Sequence, residues 1–425
     1  MARFFSRLLR IRWAVALRIA RRVARELHDA HGRLRPAEGA RLAELIKRSR
    51  GRSQRLSRSG RAEVAHEEGG RPAGVTAPAA SEPSRRRGDP DADADLGLLL
   101  WERGDRAGAE VAFRRADERG HAGGALYLGM LLEDRDELAA AEAAYRRSDE
   151  RRHAGGAFNL GVLLSRRGDE AGAEAAYRRA DQRGEGAGAF NLGVLLEDRG
   201  EMSEAEAAYR RADESGHPGA ACNLGLILAE RGEAKAAQAA FRRADNRGDA
   251  DGAFNLGLIL YERGEHAGAE AAFRRADDRG DGGAANRLGV LLARRRNRAG
   301  AESAFRRADE RGHAGGAYNL GLLLAERGAR AGAEAAFRRA DERGHAGAAS
   351  NLGVFLVRGK DPDGAEAAFR RAHERGHPGG TYNLGLLLAA RGDHVAAEAL
   401  LRRAAASPDG HVAGLAAAAL ETPRR

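Results

Sequence analysis

Asparagine recurs in this sequence at Asn159, Asn191, Asn223, Asn255, Asn319, Asn351 and Asn383, every interval a multiple of 32 residues. A carboxamide donates and accepts hydrogen bonds at once, so a row of amides one period apart suits gripping an extended peptide backbone without reading its side chains. These seven residues are the candidate partner-binding set. Asp95, Tyr127 and Arg287 stand at the equivalent place in the other periods. Asparagines that bond a neighbouring backbone group, or that were copied by duplication, would leave the same pattern. An aromatic often stands just before the amide, at Phe158, Phe190, Phe254, Tyr318 and Tyr382, with Cys222, Asn286 and Ser350 breaking the row. That spacing fits packing between helices more readily than a recognition pocket.

Other chemistry finds little purchase. His121, His153, His217, His313, His345 and His377 recur at one per period. None has a cysteine three or four residues away, and only His377 has a second histidine at that distance, at His373, so no period contains a tetrahedral ligand set, and these read as turn residues. Cys222 is the only cysteine, which excludes a disulfide framework or a multi-cysteine metal site and indicates a reducing compartment. There is no glycine-rich phosphate loop ending in Gly-Lys-Ser/Thr and no Gly-x-Ser-x-Gly elbow, and the one His-Glu-x-x-His string, His373 to His377, runs through Gly376, the glycine that closes a helix-like stretch, so it is not carried on one helix. Carboxylates recur as helix-surface positions, not as a unique pair in a pocket. The expectation is a non-catalytic chain with no catalytic residue, metal ligand, cofactor or small-molecule substrate.

The elements that carry the amides are defined by a Leu-Gly pair, whose glycine recurs at Gly97, Gly129, Gly161, Gly193, Gly225, Gly257, Gly289, Gly321, Gly353 and Gly385 with no insertion or deletion. Each period holds two helix-like stretches, such as "GAFNLGVLLSRRG" and "DEAGAEAAYRRADQRG", each closed by glycine. Twelve residues after each Leu-Gly glycine stands an alanine, from Ala109 to Ala397, and four further on an aromatic. Phe113, Tyr145, Tyr177, Tyr209, Phe241, Phe273, Phe305, Phe337 and Phe369 hold that place, with Leu401 in the last period. Small residues let helix axes approach and the single ring fills the remaining space, so these are core positions that become buried only when a neighbouring unit stacks on them. The Arg-Arg pair of the second stretch, as at Arg178 and Arg179, follows a glutamate such as Glu174 by four residues. It reads as a solvated helix face with local ion pairs.

The Leu-Gly, alanine, aromatic, alanine series resembles the tetratricopeptide repeat, and "RHAGGAFNLGVLL" from Arg152 is similar to its Sel1-like subclass. Arg152 stands where other periods have glycine. The period of 32 is shorter than either family's norm, and Ala157, Ala189 and Ala253 replace the large residue expected early in the first helix. The resemblance implies an all-α solenoid of about ten helix-turn-helix repeats, wound as a right-handed superhelix. Its inner groove, lined by first helices, would hold a protein or extended peptide on the seven asparagines. The expected function is therefore a protein-binding scaffold or adaptor.

Composition agrees, with 43% hydrophobic and 32% charged residues and only ten prolines. Lys47, Lys235 and Lys360 are the only lysines, an arginine bias that points to a GC-rich bacterial genome. Residues 1–88 hold about 22 basic and 8 acidic residues, whereas the remainder is nearly balanced. The headline net charge of +10 thus belongs to the N-terminal part, and the balance of the repeats argues against a nucleic-acid track along them.

Residues 1–60 are expected to form a basic amphipathic helical segment. Phe4, Phe5, Leu8, Leu9, Ile11, Val15, Ile19, Val23 and Leu27 share one broad helical face, with most arginines opposite. Such a face fits packing on a second helix, an anionic membrane surface or nucleic acid, and the last two define an alternative reading as a tethered regulatory protein. Residues 61–90 read as a flexible linker, 91–406 as the repeat solenoid, and 407–425 as a capping helix with a tail. No stretch is long and apolar enough to span a bilayer, and no signal peptide is visible, which points to the cytoplasm, with a peripheral membrane association left open.

Overall fold

The computed structural model describes residues 89–421, which form twenty-one helices with no strand among them. The basic segment expected over residues 1–60, and all but the end of the expected linker, lie outside the described residues. In the third repeat Ala154–Arg166 and Glu170–Gln182 are helices of 13 residues. Two such helices and two three-residue connectors account for the short period. Helix starts are capped: the Asp169 carboxylate accepts from the Gly172 amide at 2.9 Å. Helix ends turn through glycine in the left-handed region, as at Gly168 with φ of 82°. Arg152 occupies the same left-handed conformation with φ of 65°, which explains its irregularity in the motif.

The repeated glycine and the repeated aromatic form one device. A Cβ placed on Gly161 would stand 2.6 Å from the Tyr177 ring, and one on Gly257 would stand 2.6 Å from Phe273. Each ring lies flat against bare backbone of the first helix in its own repeat. Phe113, Tyr145, Tyr209, Phe241, Phe273 and Phe337 are fully buried, as expected of core positions. In the last repeat Leu401 meets Gly385 instead. The hydroxyl of the ring obeys a second rule. Tyr145 donates to Glu133 and Tyr209 to Glu197, both at 2.7 Å, twelve residues upstream. Where the ring is phenylalanine, as at Phe241, Phe305 and Phe337, the upstream residue is Ala229, Ala293 or Ala325. A buried hydroxyl is present only where an acceptor is supplied.

The charges of the second helices are not the solvated face that the sequence suggested. In several repeats of each unit the second arginine of the pair reaches 30 residues back to an aspartate in the preceding repeat, and in most of these a further arginine reaches back 34. Arg179 Nε meets Asp149 Oδ2 at 2.8 Å, while Arg183 Nη1 meets its Oδ1 at 2.6 Å. Arg275 and Arg279 hold Asp245 in the same way, and Arg339 and Arg343 hold Asp309. These aspartates are buried, with Asp277 only 1% exposed. Burial alone would raise the Asp245 and Asp309 carboxyls, but hydrogen bonds from the two arginines override it and hold both below the ordinary carboxylate range.

The first arginine of the pair does make the expected contact four residues back, as Arg178 does to Glu174 at 2.6 Å. That glutamate is shared, because Glu110 bonds both Arg114 and Arg135 of the next repeat at 2.7 Å each. The aspartate series stops where His373 takes its place and bonds Thr381 Oγ1 at 2.9 Å.

The chain divides into two compact units: residues up to His217 together with Asn223–Ala237, and Pro218–Cys222 together with Gln238 onward. Each is a stack in which a first helix packs on its own second helix and on the second helix before it. In the first unit, Leu96 and Leu99 are 44% and 52% exposed, whereas their counterparts Leu128 and Leu131 are buried. No described repeat precedes the first to cover them. In the second unit, Gly410–Glu421 closes the last repeat through Val412, Leu415 and Ala416 against Tyr382 and Leu401.

Candidate partner-binding face

Within each unit consecutive first helices touch one another, as Ala122–Asp134 does Ala154–Arg166, and Gly282–Arg294 does Ala314–Glu326. Neighbouring second helices lie farther apart and are bridged by the long arginines. First helices therefore line the tighter side of each stack, and the asparagine series runs along them.

The amides fall into two groups. Asn255 is 1% exposed, and its amide points at Cys222 Sγ 3.8 Å away. Asn319 donates to Asn286 Oδ1 at 2.8 Å, Asn383 reaches Ser350 Oγ at 3.4 Å, and Asn351 bonds the Tyr318 hydroxyl. Each partner lies 33 residues back, just before the preceding ladder position. Cys222, Asn286 and Ser350, which interrupt the aromatic row, are thus small or polar groups that receive the next amide. Asn159, Asn191 and Asn223 face Leu126, Phe158 and Phe190 at that place and are half-buried. These three combine an apolar neighbour with an accessible amide, which is what an incoming backbone needs.

The aromatic row packs between helices. Phe158, Phe190, Phe254 and Tyr318 lie 5.7–6.3 Å, centroid to centroid, from Tyr177, Tyr209, Phe273 and Phe337. Four of the six histidines are helix caps: Nδ1 of His121, His313, His345 and His377 accepts the amide of Gly124, Gly316, Ala348 and Gly380 at 2.8–3.1 Å, whereas His153 makes no such bond. Asp249 and Asp281 cap the matching helices elsewhere. A ring nitrogen accepts only when neutral, and burial pushes His345 and His377 below the ordinary histidine value. Among the described residues no group of three or more His, Cys, Asp or Glu side chains is placed to hold a metal, and no helix is long and apolar enough to cross a membrane.

A tetratricopeptide-repeat family model matches residues 158–221, 222–285 and 352–411, in blocks of about two repeats each. A protective antigen of uropathogenic Escherichia coli with a Sel1-like repeat fold is 25% identical. The match covers 75% of this chain and 77% of that one with a TM-score of 0.63. Over the matched residues the chain carries repeats of the tetratricopeptide and Sel1-like superfamily. A Sel1 repeat protein from Oxalobacter formigenes is 19% identical over 51% of this chain and 99% of that one, with a TM-score of 0.43. Comparison with curated proteins gives no significant match.

Two features of these tetratricopeptide-type repeats escaped the sequence reading. The Asp-Arg-Arg staple joins residues 30 and 34 apart, and only the stacking of repeats brings them together. The signal was the aspartate of "RRADERG", present in nearly every repeat at a place where a surface position would vary. The second feature is Arg287, noted in the sequence only as an exception to the asparagine series. It is exposed, although the protein around it penalises its charge.

Proposed function

We propose that this protein is a non-catalytic scaffold that holds an extended segment of a partner protein along the first-helix face of its repeats. The observation that carries the reading is the row Asn159, Asn191 and Asn223, half-buried amides one repeat apart on the side where first helices converge. An extended chain advances about 3.3 Å per residue, so amides one repeat apart meet it every few residues and leave its side chains unread. The second-helix face is a poor competitor, because its aspartates and most of its arginines are already paired between repeats.

The test is selection of peptides from a random display library on the full chain, followed by affinity measurement with Asn159, Asn191 and Asn223 changed together to alanine. Loss of about tenfold or more in affinity, with helicity by circular dichroism unchanged, is expected if several hydrogen bonds to a bound backbone are removed. Unaltered affinity defeats the reading.

The basic excess of residues 1–88 favours a second reading, in which that segment tethers the protein to an anionic membrane or nucleic acid and the repeats act as a spacer. Salt-sensitive binding to anionic vesicles or DNA that disappears on removal of residues 1–60, with no peptide selected by the repeats, would favour it. The scarcity of cysteine fits a cytoplasmic location for either role.

A further inference from the structure

The first helix of the first repeat, Pro90–Glu102, keeps an uncovered face. Leu96 and Leu99 are about half exposed on it, whereas Leu128 and Leu131 of the next repeat are buried, in a helix that packs on the second helix before it. At 100° per residue Ala92, Leu96 and Leu99 form one stripe, bordered along one edge by Asp91, Asp95 and Glu102. In the other unit the last repeat is closed by Gly410–Glu421, which lays Val412, Leu415 and Ala416 against Tyr382 and Leu401. The end of a repeat stack needs such a cover, polar on its outer side.

Pro90–Glu102 is also the most acidic of the first helices. It carries Asp91, Asp93, Asp95 and Glu102 and no basic residue, against at most two carboxylates in any other first helix. Arg119 holds Asp93, but Asp91 stays 60% exposed although His121 Nε2 lies 3.4 Å away, and Glu102 is exposed.

The chain that leads into this helix at Asp89 has the complementary pattern. Residues 1–88 hold the basic excess, and the apolar positions of residues 4–27 share one helical face. Arg7, Arg18 and Arg25 border that face along one edge, as the carboxylates border the leucine stripe. A coiled chain of about 60 residues, the interval from residue 27 to Asp89, spans on the order of 45 Å. The whole helix is only about 20 Å long. Tethering therefore presents the segment to the stripe at an effective concentration on the order of millimolar, which an outside partner or a second copy would have to exceed.

We propose that residues 4–27 fold back as a helix on the uncovered face of Pro90–Glu102 and close the first repeat, with their apolar face on Leu96 and Leu99 and their bordering arginines toward Asp91, Asp95 and Glu102. Such a cap is independent of what the asparagines hold. It opposes the tethered reading, because one apolar face cannot lie on Leu99 and in a membrane at once.

The test uses the full chain with the photoreactive residue p-benzoylphenylalanine at position 99, as an equal mixture of heavy-isotope-labelled and unlabelled protein. Crosslinks mapped by mass spectrometry should join position 99 to residues 4–27 within chains of one label. Crosslinks that join labelled to unlabelled chains, or none to residues 4–27, overturn the proposal. A second measurement keeps Leu99 and changes Leu8→Glu and Val15→Glu in the full chain, outside the repeats. Amide hydrogen exchange in Pro90–Glu102 should then quicken about tenfold or more, as uncovering half of two leucine side chains requires, with exchange in Ala154–Arg166 unchanged. Unaltered exchange in Pro90–Glu102 overturns the cap. No peptide enters either measurement, so failure here leaves the scaffold reading standing.

Discussion

The two faces of each repeat use polar residues in opposite ways. On the second-helix side the pattern is nearly invariant and the charges are consumed, with aspartates buried beneath two arginines of the next repeat and glutamates shared between a local and a distant arginine. On the first-helix side the polar series changes character along the chain, with accessible amides at Asn159, Asn191 and Asn223, inter-repeat pairs at Asn319 and Asn383, and a cation at Arg287. Uniformity marks what holds one repeat to the next. Variation marks the face on which the proposed partner segment would be held.

The largest effect should come from breaking a staple. Replacing Arg307 and Arg311 by alanine strands the buried Asp277 carboxylate and should cost about 3–5 kcal/mol in denaturant titration. Replacing Asp277 as well by leucine should recover much of that loss, since a buried triad is often no better than a well-packed apolar set. A smaller loss is expected from Gly193→Ala, which forces a methyl to within 2.7 Å of the Tyr209 ring. Overpacking of this kind costs about 1–3 kcal/mol, readable as a lowered thermal midpoint.

Acidity should act in two windows. The Asp245 and Asp309 carboxyls are depressed in the folded chain, so their contribution is fully present above the ordinary value of 3.8 and is lost as pH falls through the lowered one. His345 and His377 are also depressed, so below 6.5 the unfolded chain takes up protons first and stability falls. Protonation removes the acceptor of a helix cap, worth about 0.5–2 kcal/mol, and the variant H345D should flatten this upper window in denaturation midpoints measured between pH 5 and 8. Smallest of all, alanine at Asn159, Asn191 and Asn223 should shift stability by no more than about 0.5 kcal/mol per site, as for surface positions. The same change at the buried Asn255 should be felt more.

The architecture was legible because stacking is written in local spacing. Gly161 and Tyr177 are 16 residues apart, and their pairing follows from helical period and size alone. The staple was not legible, since the link from Asp149 to Arg179 and Arg183 depends on how far one repeat is translated from the next, a distance no single repeat encodes. The candidate site was half legible. The amides were visible as a series, but whether each is available depends on the residue 33 places earlier: Phe158 leaves Asn191 accessible, whereas Cys222 draws in Asn255.

The most direct test of the scaffold account is photo-crosslinking of a selected peptide to the full chain, with the attached positions mapped by mass spectrometry. Crosslinks clustered between Phe158 and Val162, and in the matching stretch from Phe190 to Val194, are predicted. Crosslinks concentrated on second helices such as Glu170–Gln182 would contradict it.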